Sequence, residues 1–190
     1  MRPTILHAFL LLALSAAPAR AQPAATAADP FAPHRWHFET EAVAAVEAWN
    51  YNVSHEELYG LTESVTYGLK DGLVLRAGQR FVYVSQRAED AVVLGLTIGV
   101  RGRVWHRGRV SAFIQGDVGI SHTAIATPPR GTRFNYLAMG GGGMMIRVHP
   151  RIHVVTTLQL IHVSNAGVKG PGRNPDTEAF GPSAGFLLRF

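Results

Sequence analysis

Near the C-terminus, His162 and Ser164 have the residue types and the spacing for nucleophilic ester chemistry. A serine hydroxyl is a weak nucleophile until a base within hydrogen-bond reach takes its proton. The imidazole in turn needs a partner that fixes its tautomer and balances its charge. On an extended strand, residues i and i+2 project from one face with Cα atoms about 6.6 Å apart, a gap that an imidazole can close. Glu178 completes the set: it ends the connection 165–178 and precedes a final alternating segment, so hairpin pairing would carry it to His162. On its own a His-x-Ser pair carries almost no information, and the blander reading is a rim pair that bonds water or headgroups. The absence of cysteine excludes thiol nucleophiles, thiolate metal sites and disulfides together. His149 and His153 are four apart but straddle Pro150, without the helix that would align them, so no metal and no cofactor is expected.

The elements that must position these residues are strands. Eight alternating segments are predicted at 36–49, 60–70, 73–85, 91–104, 109–121, 134–147, 152–164 and 179–190. Short turns, marked by Asp71-Gly72, His106-Arg107-Gly108 and 148–151, alternate with longer links at 50–59, 86–90, 122–133 and 165–178. Parity sorts the faces, because i and i+2 share a side. Leu73, Leu75, Phe81 and Tyr83 oppose Arg76 and Arg80, while Val92, Leu94, Leu96, Ile98 and Val100 form one face of the fourth segment. Val110, Ala112, Ile114, Val118 and Ile120 oppose Ser111, Gln115, Asp117 and Ser121. Phe180, Pro182, Ala184, Phe186, Leu188 and Phe190 share a side at the end. Strands of about ten residues, with turns short on one side and long on the other, form the pattern of an all-β, eight-stranded antiparallel outer-membrane barrel. By the same parity His162 and Ser164 lie with Val154, Leu158 and Leu160 on the lipid side, opposite His153, Thr157 and Gln159. Glu178 joins the lipid side if the last strand has begun by then. Glu39, Glu41 and Glu47 fall inward, where Arg76, Arg80 and Asp117 can pair with them in a polar lumen. Trp36, Trp49, Tyr51, Tyr59, Tyr83 and Trp105 sit near segment ends, as an interfacial girdle requires. The Gly140–Gly143 run lacks the Lys-Ser/Thr of a phosphate loop and reads as room for close packing.

Composition agrees with export to a membrane. Of 190 residues 47% are apolar and 16% charged, against roughly 25% charged in a soluble domain. That excludes a disordered chain. Arg2, the apolar stretch from Ile5 to Leu14 and Ala19-Arg20-Ala21 read as a signal peptide over 1–21. A loose leader is expected over 22–35 and a single barrel domain over 36–190. Losing Arg2 and Arg20 leaves 16 basic residues of the original 18 against 13 acids, a net charge near +3. That suits an anionic lipid surface. Without a basic run or a nucleic-acid motif, no nucleic-acid partner is expected.

The order His162-x-Ser164-Asn165-Ala166-Gly167, then Asn174-Pro175-Asp176-Thr177-Glu178 and a closing aromatic strand, resembles the lipid A 3-O-deacylase (PagL) family over roughly the last thirty residues. The resemblance implies a metal-free serine esterase in the Gram-negative outer membrane, removing the 3-position acyl chain of lipid A near the outer leaflet. It makes Ser164 the nucleophile, His162 the base and Glu178 the orienting acid. For the oxyanion or the substrate it suggests Asn174, the Gly167 backbone and Asn165. The link between Ser164 and Glu178 is longer here than in the family pattern, across Gly170 to Arg173. Expected partners are lipopolysaccharide and the membrane itself, with a homodimer left open. The rivals are a non-enzymatic structural or adhesive barrel, an outer-membrane phospholipase and, third, a soluble periplasmic β-sandwich.

Overall fold

Period-two alternation, punctuated by turn residues, organises eight strands in a computed structural model that describes residues 29–49 and 55–190. The strands are β1 (Trp36–Glu47), β2 (Glu57–Lys70), β3 (Leu73–Ser85), β4 (Ala91–Arg107), β5 (Val110–Thr123), β6 (Phe134–His149), β7 (Ile152–Ser164) and β8 (Thr177–Arg189). Each pairs antiparallel with its sequence neighbours, and β8 returns to β1, so the sheet closes into a barrel. Closure leaves no open edge, which membrane-spanning strands require because lipid offers no hydrogen bonds. The signal peptide expected over 1–21 and the first part of the leader lie outside the described residues, as does Tyr51.

The outward face carries the apolar residues. Leu94, Leu96, Ile98, Val118, Leu158, Phe180 and Phe186 are all exposed, as a lipid-facing band demands. Trp36, Trp49, Tyr59, Tyr83 and Trp105 are exposed near strand ends. β4 runs past its expected end because the register shifts between Arg103 and Trp105, which turns both Val104 and Trp105 outward.

An eight-stranded barrel has an interior just wide enough for side chains to fill, and this one fills in layers. At mid-height Glu39 accepts hydrogen bonds from Arg76 Nη2 at 2.9 Å and from Arg101 Nη1 and Nη2 at 2.5 and 2.9 Å. Arg76 Nη1 also reaches Asp117 at 2.9 Å, and Glu41 accepts from Ser183 at 2.7 Å. The pairing expected of Glu39, Arg76 and Asp117 is present; Arg101, missed in the sequence, is its most deeply buried member. Toward the long-loop end the interior is apolar, with Val43, Leu58, Val82, Val93, Leu137 and Ile161 in one cluster, so the lumen is polar only in part.

At the short-turn end the chain corrects a second expectation. The last residues of the leader are not loose: Phe31 is fully buried against Val74, Phe113, Met145, Val155 and Leu187. Asp29 accepts from Arg103 Nη1 at 2.6 Å, and the Arg103 guanidinium lies 5.2 Å from the Phe31 ring centroid. Apolar burial and a buried ion pair therefore hold this segment in the barrel mouth. Gly68 permits it, because a Cβ there would run into the Ala32 carbonyl. On β6, Gly143 leaves the room that the Phe113 ring occupies, which bears out a packing role for the glycine run.

Candidate functional site

β7 and β8 form an antiparallel pair in which His162 stands directly opposite Glu178. β8 begins at Thr177, two residues earlier than its alternation suggests, so Glu178 is a strand residue and shares the outward face with Phe180. His162 Nε2 lies 3.0 Å from Ser164 Oγ, and its Nδ1 lies 3.5 Å from Glu178 Oε1. The second distance is long for a hydrogen bond, as catalytic contacts often are before substrate tightens them. The His162 side chain is 19% exposed and the Glu178 side chain 2%, so the imidazole is open to the membrane side while the carboxylate behind it is sealed. The Glu178 carbonyl accepts from Ala48 N at 2.6 Å, which ties this end of β8 to the end of β1.

Beyond Ser164 the chain turns through positive φ at Ala166 (53°) and Gly167 (75°). That twist aims the Ala166 amide at Ser164 Oγ, 3.4 Å away. Gly167 does not fit the oxyanion role expected of it, because its N–H already donates to Asn165 Oδ1 at 2.9 Å. Asn165 is occupied as well: its Nδ2 donates to the Arg173 carbonyl at 2.5 Å. These bonds make Asn165 the staple of the loop. Asn174 accepts from Asn165 N at 2.8 Å through Oδ1, which leaves its NH2 end to donate. Among the described residues, Ala166 N–H is the backbone donor directed at the Ser164 hydroxyl. The sequence hinted at it only through the glycine that follows.

One neighbour was not foreseen. His162, Asp176 and Glu178 each offer a ligand atom, all within 4.8 Å of one another, and among the described residues His162 Nδ1 and Glu178 Oε2 make no hydrogen bond. This is a donor set that one divalent cation could use. Against it, Nε2 is already committed to Ser164 in the geometry of a general base.

No protein-family model matches the sequence, and no curated protein sequence matches it. Solved structures do. Neisserial surface protein A (NspA) aligns over 82% of this chain and 97% of its own, with a TM-score of 0.63 and 10% identity. The fold is that of a small outer-membrane barrel. The outer membrane enzyme PagL aligns over 80% of this chain and 99% of its own, at TM-score 0.56 and 16% identity. The outer membrane protein OprG from Pseudomonas aeruginosa gives 84% and 97%, at TM-score 0.51 and 12% identity. At these identities the likeness is one of fold.

Proposed function

We propose that the protein is an outer-membrane serine esterase that hydrolyses the 3-position acyl ester of lipid A. The observation that carries this reading is the Ser164–His162 contact on the lipid-facing side, with Glu178 behind the imidazole. Ionisable groups on that side of a barrel cost free energy, so their presence there calls for a use. The choice of lipid A rests on the His-x-Ser-Asn-Ala-Gly context and on the height of the site. With the short-turn end periplasmic, the long-loop end lies at the outer leaflet, where lipid A acyl esters are found.

In the proposed reaction His162 Nε2 takes the Ser164 proton as Oγ attacks the ester carbonyl. The oxyanion forms toward the Ala166 N–H, with the Asn174 amide as a second donor. Collapse breaks the bond to the sugar oxygen, which leaves with the proton held by His162. Water, deprotonated by His162, then attacks the acyl-serine and the fatty acid departs. Glu178 stabilises the imidazolium throughout.

The test is mass spectrometry of lipid A incubated with refolded protein, with glycerophospholipid as a parallel substrate and Ser164→Ala as control. Loss of one 3-hydroxyacyl chain from lipid A, with wild type only, is the expected result. Release from glycerophospholipid instead would make the protein a phospholipase, and no release from either would favour a non-enzymatic barrel.

Two further outcomes follow from the same geometry. The cation donor set gives a metal-dependent hydrolysis as the second reading, and EDTA separates the two. A serine esterase keeps its full rate in EDTA, whereas a metal-dependent enzyme loses it and recovers with added metal. Along β6, Tyr136 stands opposite Ser164, and the next outward positions are small: Ala138, opposite His162, then Gly140 and Gly142 opposite Leu160 and Leu158. They leave a trough for the acyl chain. Ala138→Phe fills its upper end and is expected to lower kcat/KM about tenfold, about 1.4 kcal/mol, with heat-modifiable gel migration unchanged.

A further inference from the structure

Proton transfer from Ser164 uses only one edge of the His162 ring. Nε2 lies 3.0 Å from Ser164 Oγ, and Nδ1, on the far edge, lies 3.5 Å from Glu178 Oε1. The second separation exceeds the roughly 2.7–3.2 Å of an ordinary N–H···O bond. It matches instead two ligands of one tetrahedral zinc ion, which stand about 3.4 Å apart when each bond is about 2.0–2.2 Å.

A third donor and two unfilled valences converge on the same spot. Asp176, partly exposed in the connection just ahead of β8, brings a carboxylate oxygen within 4.8 Å of ligand atoms on both His162 and Glu178. Among the described residues, His162 Nδ1 and Glu178 Oε2 are buried and make no hydrogen bond. Glu178 is 2% exposed, and a buried carboxylate oxygen left without a partner carries a free-energy cost that a bound cation offsets. Two carboxylates so close also repel each other until a cation lies between them. An imidazole nitrogen with two carboxylates suits zinc, whereas calcium and magnesium call for oxygen ligands in greater number.

We propose that these three donors form an inhibitory zinc site, with the ion on His162 Nδ1, Asp176 and Glu178 and water in the fourth position. The neutral imidazole carries a single proton. For His162 to act as the base, that proton must sit on Nδ1, toward Glu178, with the Nε2 lone pair facing Ser164. Zinc on Nδ1 takes the lone pair there. The proton then moves to Nε2, which donates to Ser164 Oγ and can no longer accept from it. Glu178 is drawn at the same time from the imidazole to the metal. Zinc bound at this edge of the ring therefore silences the serine and does not activate it. The site rests on the donor geometry alone, and its effect on rate rests on the esterase reading.

The test treats the full barrel in detergent with EDTA, removes the chelator, and titrates zinc while acyl release from lipid A is followed. Release is expected to fall at least tenfold at saturating zinc and to recover when EDTA is returned. Calcium and magnesium at the same concentrations should leave it unchanged. In Asp176→Asn the midpoint of zinc inhibition should rise at least tenfold, each rate being taken against that variant's own zinc-free rate. Calorimetric zinc titration of the same samples reads binding without chemistry. Wild type and Ser164→Ala should share a site of like affinity, and Asp176→Asn should bind at least tenfold more weakly. If Asp176→Asn gives no heat-modifiable barrel, His162→Ala takes its place in the calorimeter, with the site lost. Three results would overturn the proposal: zinc that raises the rate, no saturable binding to wild type, or equal inhibition of Asp176→Asn, the mark of zinc held by lipid A phosphates. A wild type that releases nothing from lipid A counts against the esterase reading, and the calorimetry then decides the site by itself.

Discussion

Ser164→Ala is expected to lower the release of acyl chains from lipid A by roughly ten-thousand-fold or more, while the barrel still folds and inserts. The magnitude follows from how such residues act: removing one member of a nucleophile–base unit loses nearly all that the unit contributes. Ser164 touches little that stability depends on; among the described residues its hydroxyl meets only His162 Nε2 and, at 3.4 Å, the Ala166 amide. His162→Ala should fall as far, and the double variant no further. Glu178→Ala should fall less, because an orienting acid acts through the base. Rates of 3-hydroxy fatty acid release, measured beside heat-modifiable migration for each variant, check this ordering. Ser164→Ala at full rate would remove the serine mechanism whatever the substrate.

Glu39→Ala is expected to cost about 3–5 kcal/mol of stability, the usual effect of breaking a buried ion pair by removing one partner. Glu39 is 1% exposed and serves two arginines at once. Arg76 would retain Asp117, but the carboxylate left to Arg101 would be Glu41, whose nearest oxygen is 3.9 Å away, beside the neutral Gln115 Oε1 that accepts from Arg101 Nε at 2.8 Å. Arg101 is fully buried, with its guanidinium 4.3 Å from the centroid of the Phe113 ring, so it cannot turn out to water. Urea unfolding of the refolded barrel should show the loss as a lower midpoint with unchanged slope. Glu57→Ala, at the exposed start of β2, should change stability by less than about 0.5 kcal/mol. A Glu39→Met, Arg101→Met double variant should recover much of the loss, because it removes the stranded charge together with its partner.

How far the sequence could be read depended on whether the deciding information was local. β3 and β7 begin and end where their alternation does, and Asp71-Gly72 and the Pro150 turn mark their starts plainly. His162, Ser164 and Glu178 could be placed on one face by parity and hairpin pairing alone. The apolar layer of the lumen could not be seen, because in Phe81–Val84 and Ala91–Leu94 both faces are apolar and alternation says nothing of what lies inside. Arg101 and Arg103 could have been placed inward, because parity is unbroken from Val92 through Arg103 and the bulge comes only after them. The packed end of the leader was hidden, since Asp29 and Phe31 find their partners in Arg103, Phe113 and Leu187, far along the chain. The Ala166 amide depends on a positive φ that no residue type announces outside glycine and asparagine.

The strand that brings Glu178 to His162 is also the strand that shuts the cylinder. β8 is paired on one side with β7 and on the other with β1, and the Glu178 carbonyl is held by Ala48 at the end of β1. Serine and histidine travel together on a single strand, their acid arrives with the next, and its backbone is pinned when the first and last strands meet. Chemistry and assembly thus share one latch. A chain still waiting for insertion carries the nucleophile without the fixed partner that readies it, and the proposed activity would come into being at the moment of closure, in the membrane that holds its substrate.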